Sequence, residues 1–458
     1  MSNNYGSANQ FTTESFLDPY NIFMPQNRRE LIGFQQDEYF MSEIFQQLQM
    51  TEPVEGNKWY TWVEPKKIEY LTATSSASAG GSDGAAVDVV INATSGISGG
   101  VYARLGDVYR RSNGEELLVV AINKGTRTIT FKPNNSTTIS AVAAGETFVK
   151  IGTAYPEASD PSTPMTGRAR QITNTLQIQQ EIAQVSGSVQ TDKTWFEVDT
   201  PSLDGTTVKS KYWFSWEVKA AYDRMMYSMN NTLLVGDGST YDISSYATSF
   251  GSKAQNSTTT TTGLIPQIAN EGGAFTYAPG EPSMNWFFKV INQLIKNQGD
   301  KENVMFNGMQ FTQANISWIT DQMKNGAISY GAFTGGKEMA LKIGFNSFEV
   351  GGFTFHWKDM PMFNFPQGLG EQGFSQRSIL LPVTPIRTST GSMAKPVRLR
   401  YKQVQGSKML GVGFRQSTRN NMNPTAAGDY DSVELIADWG AELLAPWKSL
   451  DIKPIGVA

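Results

Sequence analysis

The sequence has no cysteine and only one histidine. Without cysteine there are no disulfides, no thiolate metal ligands and no cysteine nucleophile, which is consistent with folding in a reducing cytoplasm. One histidine, His356 between Phe355 and Trp357, excludes a His-rich metal site, and a Ser-His-Asp triad would have to use it. We interpret His356 as a partly buried strand residue. The sequence therefore predicts no metal and no cofactor.

Charge and long apolar runs are also scarce. Charged residues make up 17% of the 458 residues, the formal net charge is −4, and no run of five like charges provides a basic or acidic tail. No stretch approaches the roughly 18–20 continuous apolar residues of a membrane helix, and residues 1–15 lack the features of a signal peptide. We expect a chain without membrane contact that is kept inside a cell. Because it begins at Met1, we also expect no removed propeptide.

Neutral polar residues are abundant instead. The length predicts two to four structural units, and the 39% hydrophobic content is enough for a real core. Glycine is frequent, at 43 residues, together with Ser, Thr and Asn. A surface with little charge suits packing against neighbouring molecules better than an isolated, highly charged monomer.

The first part of the chain does not have the pattern of a compact domain. Residues 1–56 scatter apolar side chains among turn formers, and a helical pattern covers only Glu38–Met50. Ordering a residue costs roughly 1–2 kcal/mol of backbone entropy, which burial must offset. We therefore expect an arm that packs on another subunit. Asn57–Leu71 then has an extended pattern.

The next region is strongly β-like. From about Val87 to Gly152, short β-branched runs alternate with turn formers, and the turn Asn123-Lys124-Gly125 predicts a hairpin of LLVVAI with TITF. Four or five strands at this spacing favour a small closed barrel, because closure removes exposed edges. Proline-rich residues 155–164 lead out of it, and Gly167–Val189 returns to an extended pattern.

Helices dominate the middle of the chain. The strongest pattern predicts a helix over Lys211–Leu234, ended by Gly236. Two shorter helices follow, one capped by Ser283 and one starting near Thr312. The last third of the sequence is mixed and rich in strands, and no internal repeat is evident.

Motifs for chemistry are weak. No phosphate-binding loop is present. The segment Gly236–Asp242 superficially suggests a calcium loop but lacks alternating ligands and a terminal Glu, so we interpret it as a helix stop and turn. Acidic pairs such as Glu115-Glu116, or Asp429 with Asp431, could form a glycosidase couple, but solvated surface acids are the simpler interpretation.

One charge pattern stands out. Arg398, Arg400 and Lys402 alternate with apolar residues, which on a strand places three cations on one face. The simpler interpretation is a half-exposed strand. The alternative is a row of cations that meets the carboxylates of a neighbour or packaged nucleic acid.

Several stretches and their order along the chain form a recognisable pattern. They are GDVYRRSNGEELLVVAINKGTRTITFKP with AAGETFVKIG, RQITNTLQIQQEIAQVSGSVQ before the long helix, NNTLLVGDG after it, FEVGGFTFHWKDMPMF, and DSVELIADWGAELLAPWKSL. This pattern resembles the Hong Kong 97-type major capsid proteins of tailed bacteriophages, in the branch whose extended loop carries an inserted small barrel. These stretches are distributed between residues 106 and 450, so they span most of the chain. The whole chain is further similar to capsid proteins of crAss-like phages of gut Bacteroides.

The resemblance implies an α+β fold of the Hong Kong 97 type. Its parts would be an N-terminal arm (1–56), an extended loop (57–79 and 157–190), an inserted small β-barrel domain (80–156), a peripheral domain (191–263 and 383–458) with a spine helix at about 211–234, and an axial domain (264–382). No separate scaffolding segment is visible. No motif carries the Lys–Asn cross-link of some family members onto a residue of this chain.

The implied function is structural, not enzymatic. Such a subunit self-assembles into pentamers and hexamers of an icosahedral head in the virion, after synthesis in the cytoplasm of the host bacterium. Implied partners are copies of itself, a portal, possible scaffold and decoration proteins, and packaged double-stranded DNA bound non-specifically. The candidate inter-subunit or DNA-facing cations are Arg398, Arg400 and Lys402, and the candidate extended-loop contacts are Lys66, Lys67, Arg168 and Arg170.

Three other functions remain open on the sequence alone. A glycan-binding adhesin or tail-fibre module would also be rich in strands, Gly, Ser and Thr, although the long amphipathic helix and the lack of repeats argue against it. A carbohydrate-active enzyme would need an identifiable pair of acids. A cargo-filled bacterial nanocompartment would share the capsid fold and differ only in its contents.

Overall fold

The computed structural model divides into two compact units, which we call the larger unit (Met1–Trp59 with Asn174–Ala458) and the inserted unit (Tyr60–Thr173). The residues that the structure describes are 41–63, 70–80, 82–93, 101–160, 169–186, 193–201, 207–250, 255, 257–278, 281–324, 346–365, 369–370, 373–388, 391–402, 413–417 and 430–456.

Five α-helices lie in the described residues. They are α1 (Met41–Gln47), α2 (Trp213–Val235), α3 (Leu264–Asn270), α4 (Met284–Lys296) and α5 (Met309–Lys324). Helix α2 begins two residues later than the predicted Lys211, and α5 begins before the expected Thr312. The predicted cap of α4 is confirmed, because the Ser283 hydroxyl accepts a hydrogen bond from the backbone N–H of Trp286 at 3.3 Å.

The described strands number 25. They are β1 (Thr51–Pro53), β2 (Lys58–Val63), β3 (Leu71–Thr72), β4 (Val87–Val90), β5 (Asp107–Arg110), β6 (Glu116–Asn123), β7 (Thr128–Pro133), β8 (Thr147–Thr153), β9 (Arg170–Thr175), β10 (Gln177–Ser186), β11 (Lys193–Pro201), β12 (Thr207–Tyr212), β13 (Thr240–Asp242), β14 (Ser257–Thr259), β15 (Ala274–Tyr277), β16 (Glu302–Asn307), β17 (Asn346–Val350), β18 (Phe353–Asp359), β19 (Ser378–Pro382), β20 (Ile386–Arg387), β21 (Met393–Ala394), β22 (Val397–Tyr401), β23 (Gly413–Ser417), β24 (Tyr430–Leu443) and β25 (Leu450–Pro454). The content is therefore mixed α+β.

The inserted unit is a six-stranded sheet in the order β3-β8-β5-β6-β7-β4. The predicted β6–β7 hairpin is confirmed. The two edge strands are joined to each other, because Ala73 bridges to Ile91 and the N–H of Asn92 donates to the Thr72 carbonyl at 2.8 Å. This sheet encloses its own core of aliphatic and aromatic side chains, which includes Leu71, Val89, Tyr109, Leu117, Val119, Ile129, Phe131 and Phe148.

A buried arginine joins several segments of the inserted unit to one another. Arg111 is 5% exposed, and its guanidinium donates two hydrogen bonds to the Glu146 carboxylate, both at 2.8 Å, and one to Glu115 at 2.6 Å. Its remaining bonds go to the carbonyls of Ser140 and Ala141. These contacts tie the loop after β7 to the start of β6 and the turn before β8. A buried charge is tolerated only with such complete pairing.

The larger unit contains a sheet in the order β1-β22-β24-β10, with β23 also paired to β24. Helix α2 packs on one face of this sheet, where Met225, Met229 and Leu233 join Leu435 and Trp439 in one buried cluster. Strand β24 pairs with β10 along Tyr430–Trp439 on one side and with β22 and β23 on the other.

A second sheet of the larger unit has the order β15-β25-β19-β16-β18-β17. Helix α4 covers it with Trp286 and Phe287, which pack with Phe348 and Phe355. The expected strand position of His356 is confirmed. Its side chain is 16% exposed on β18, with Nε2 3.2 Å from the Glu302 carboxylate.

The C-terminal strand β25 is held in this second sheet by a buried ion pair. Asp451 on β25 accepts two hydrogen bonds from the Arg377 guanidinium, both at 2.6 Å. Residues near the end of the chain thus pair with strands of the 264–382 segment. The domain boundaries expected from the resemblance stay a prediction, and residues 1–40 of the N-terminal arm lie outside the described part of the chain.

We predict that Arg111→Ala lowers the opening free energy of the inserted unit by about 3 kcal/mol, because two partly buried carboxylates lose their cation. Hydrogen exchange of peptides from β5 to β8 in the full chain would measure the change. The control is Arg110→Ala, an exposed neighbour whose loss should cost less than about 0.5 kcal/mol. Equal effects of the two substitutions would contradict the assignment.

The same ion pair predicts an acid-sensitive stability. The hydrogen bonds from Arg111 hold the pKa of Glu146 below its usual value of about 4.3. A depressed folded pKa gives stability that is complete above the unfolded pKa and is lost as pH falls through the folded pKa. Exchange protection of β5 to β8 should stay level from about pH 8 to about pH 5, after correction for intrinsic rates, and fall below about pH 4. Arg111→Ala should remove most of this fall.

Candidate functional site

The three alternating cations lie on or next to β22, which runs between β1 and β24 in the interior of its sheet. Each meets a partner from its own chain. Arg398 pairs with Glu52, Arg400 lies 3.0 Å from Glu52 and donates to Glu442 at 2.6 Å, and Lys402 bonds the side chain of Asn57. Glu52 therefore bridges two arginines across the β1–β22 pair.

This arrangement satisfies the charges internally. The Glu442 side chain is 5% exposed and that of Arg400 is 14% exposed, so their bond lies in a largely dry environment. Glu52 is more open, with 43% of its side chain exposed. Whether the row also meets a neighbour or nucleic acid stays a prediction. The sequence could not reveal these partners, because Glu52 and Arg398 are 346 positions apart.

Of the candidate extended-loop contacts, one lies in the described structure. Arg170 begins β9, the partner of β2 in a two-stranded ribbon, and is half-buried there. Lys66, Lys67 and Arg168 lie outside the described residues. The role of these four cations also stays a prediction.

The ribbon strand β2 exposes large aromatic side chains. Tyr60 is 54% exposed and Trp62 is 65% exposed. They share one face of β2, because alternate residues of a strand point to the same side. Trp59 points the other way and is buried. Its ring lies against Gly440, so closely that a Cβ added to this glycine would be 2.6 Å from the ring. The sequence indicated an extended segment here but not which rings would be exposed.

The inserted unit has a second apolar surface on the outer side of β8. Val149 and Ile151 are 53% and 49% exposed. Because Leu71 is opposite Phe148, the antiparallel register places Tyr70 opposite Val149, and Tyr70 is 55% exposed. Among the described residues, these side chains form an exposed apolar strip that is separate from the buried core of the unit.

Side-chain amides complete the hydrogen bonding of β24 beyond the first residue of β10. The register stops at Gln177 opposite Trp439, so the next part of β24 lacks a strand on that side among the described residues. The Gln267 side chain replaces it, donating to the Ala441 carbonyl at 3.0 Å and accepting from the Leu443 N–H at 3.0 Å. Asn174 donates to the same carbonyl at 2.7 Å. These two amides join α3 and β9 to β24 next to the start of β10.

The loop that superficially resembled a calcium site is a hydrogen-bonded turn. The Asp237 carboxylate accepts bonds from Ser239, Tyr241 and Thr260, which hold the pKa of Asp237 well below its usual value. No group of three or more potential metal ligands occurs among the residues that the structure describes. Within that same part of the chain, no helix has the length and apolarity to cross a membrane.

We predict that Glu442→Gln lowers the free energy of unfolding of the larger unit by about 2 kcal/mol, because Arg400 keeps its charge in a dry site with one carboxylate fewer. The midpoint of urea unfolding, followed by tryptophan fluorescence, gives the measurement. The exposed Glu157→Gln is the control and should leave the midpoint unchanged. A midpoint unchanged in Glu442→Gln would show that the pair contributes nothing.

No protein-family model and no curated protein matches this chain. Solved structures do show a likeness. The capsid of the native GTA particle is 9% identical with a TM-score of 0.42, covering 97% of this chain and 99% of that one. A chain of Microbacterium phage Oxtober96 is 9% identical with a TM-score of 0.43, covering 97% and 99%. The SrpI encapsulin complex of Synechococcus elongatus PCC 7942 is 11% identical with a TM-score of 0.35, covering 63% and 77%.

Proposed function

We propose that this chain is a structural subunit of a protein shell, a major capsid protein of the Hong Kong 97 type, and not an enzyme. In this proposal the subunit assembles into pentamers and hexamers of an icosahedral phage head that encloses double-stranded DNA. Its other partners would be a portal and possible scaffold and decoration proteins, and it would be assembled in the cytoplasm of the host bacterium. A crAss-like phage is the proposed source.

The observation that carries the proposal is the exposed aromatic face of β2. Trp and Tyr side chains each bury about 150–250 Å² in a contact and are enriched among the residues that dominate binding energy. Tyr60 and Trp62 each expose more than half of their surface. A ribbon of two strands has no core of its own to bury them. A contact with another subunit removes them from water, as a shell provides.

The fold supplies parts for such an assembly. Helix α2 would be the spine of the peripheral domain, and the second sheet with α4 would belong to the axial domain. The inserted unit would be a small barrel at the end of the extended loop, and it would face outward or lie over a neighbour. Ring contacts between subunits of this kind are heterologous and close into pentamers and hexamers.

The cation row would have a mainly internal role in this shell. Arg398 and Arg400 already share Glu52 and Glu442, which supports the interpretation as a half-exposed strand. Contact with a neighbour or with DNA would have to compete with these pairs. DNA would then be held non-specifically, without a dedicated basic tail.

Sedimentation and electron microscopy of nuclease-treated material from the native source test the proposal. A chain that travels with icosahedral particles holding protected DNA supports a phage head. Shells without DNA would point to a nanocompartment. A chain that occurs only free or in tails and fibres would refute the shell and favour the adhesin.

We further predict that Trp62→Ala lowers the yield of shells about tenfold or more, because it removes a contact residue of the dominant kind. Particle yield is measured by sedimentation after expression, and circular dichroism checks the fold. The control is Tyr246→Ala, which removes a ring that is 68% exposed in the larger unit. Normal yield from the Trp62 variant would exclude the ribbon face as an assembly contact.

A further inference from the structure

Strand β10 is the longest open sheet edge among the described residues. It has ten residues, Gln177–Ser186, and pairs only with β24 in the described structure. The other edges of the two main sheets of the larger unit are shorter, with three residues in β1, four in β15 and five each in β17 and β23. In the inserted unit the two edge strands are joined to each other.

Among the described residues, this edge lacks the usual protection against pairing. Natural sheets cover or blunt an open edge with proline, lysine, a bulge or a very short strand. Strand β10 contains no proline and no lysine, and its register with β24 runs without a shift from Gln177 to Ser186. Its one charged residue, Glu181, already lies 3.5 Å from Arg224 of α2. A long, regular and unprotected edge favours addition of another strand.

The side chains of β10 leave an apolar face beside the edge. Odd-numbered residues such as Gln179 and Ala183 point toward α2 and are buried. Even-numbered residues point away, and Ile178 and Ile182 are 69% and 47% exposed. These two exposed β-branched side chains can form cross-strand pairs with the side chains of an added strand.

Space is available beside the strand. An open groove of about 650 Å³ follows one stripe of α2, and its lining includes Arg224, Ser228 and Thr232. These residues contact β10, since Glu181 pairs with Arg224 and Gln179 bonds both hydroxyls. Asn231 also lines the groove, and its buried Oδ1 has no donor among the described residues. A polar side chain entering from an added strand would meet this acceptor.

The sequence of β10 is complementary to itself in one register. If two copies pair antiparallel about a two-fold axis at Gln180, Ile178 of each lies opposite Ile182 of the other. On the inner face, Glu181 lies opposite Gln179, so the two carboxylates do not face each other. A two-fold axis at Glu181 would instead place like charges opposite and each isoleucine opposite a glutamine.

We infer that β10 is a homotypic contact at which the same strand of a second copy of this chain adds antiparallel, centred on Gln180. The inference deepens the proposed shell function, because it names one contact between two subunits. The result would be a continuous sheet across the two copies, with the isoleucines covered and the groove beside α2 occupied.

Cysteine cross-linking tests the register, because the chain has no cysteine of its own. The variant is Gln180→Cys, which places two thiols on opposite residues about 4.5–5.5 Å apart between Cα atoms, within disulfide range. The matched control is Gln184→Cys on the same exposed face. In the inferred register its two copies are about 26 Å apart. Each full-length variant is exposed to dissolved oxygen, as assembled material and as unassembled chain, and run on a non-reducing gel.

We expect at least about fivefold more disulfide-linked dimer from Gln180→Cys than from Gln184→Cys, because only the first pair is within bonding distance. Shells that form normally while the two variants give equal dimer would overturn the strand contact and leave the shell function standing. Dimers of Gln180→Cys from a chain that never forms shells would support the strand contact and refute the shell.

A second comparison does not depend on introduced thiols. Ile178→Lys with Ile182→Lys places charges on the open face, where both side chains are exposed and the fold should tolerate them. Ile455→Lys, at a residue that is 65% exposed near the C-terminus, is the matched control. We expect the double variant to reduce association of the chain with itself, measured by sedimentation, and the control to leave it unchanged. Unchanged association in both would overturn the inference.

Discussion

The larger unit depends on strand β24. Its fourteen residues provide the hydrogen-bond partners of β10, β22 and β23, and its inward side chains, including Leu435 and Trp439, build the core beneath α2. Backbone groups buried in a sheet must be paired, so each of these strands requires β24 in its register. The side-chain amides next to the start of β10 show the same constraint, because Gln267 bonds both a carbonyl and an N–H of β24 where no described strand does.

The polar contacts of the two units described above differ in how far apart their partners lie in the sequence. In the inserted unit, Arg111 joins residues that are at most 35 positions away, and all the strands of the sheet lie between Leu71 and Thr153. In the larger unit, the pairs of Glu52 with Arg398 and of Asn174 with Ala441 span 346 and 267 positions. The buried Arg111 is thus paired with nearby parts of the sequence, whereas these two contacts of the larger unit join distant parts of it.

This difference explains how much the sequence could predict. The β6–β7 hairpin, the α4 cap at Ser283 and the strand position of His356 depend on turn residues and local spacing, and all three are confirmed. The partners of Arg398 and Arg400 could not be predicted, because alternation places cations on a face without saying which acids meet them. The same limit applied to β2, where the pattern could not distinguish buried Trp59 from exposed Trp62.

The position of β24 and β25 near the end of the chain has a consequence for synthesis. A ribosome adds about 5–20 residues per second, and segments that carry their own contacts fold first. The six-stranded sheet of the inserted unit has all its strands by Thr153, so this sheet can fold while the rest of the chain is being made. The two main sheets of the larger unit cannot be completed until β24 (Tyr430–Leu443) and β25 (Leu450–Pro454) have been synthesised. A chain released early therefore lacks the strand that orders both β10 and β22, and incomplete products are kept out of any assembly that needs the finished unit.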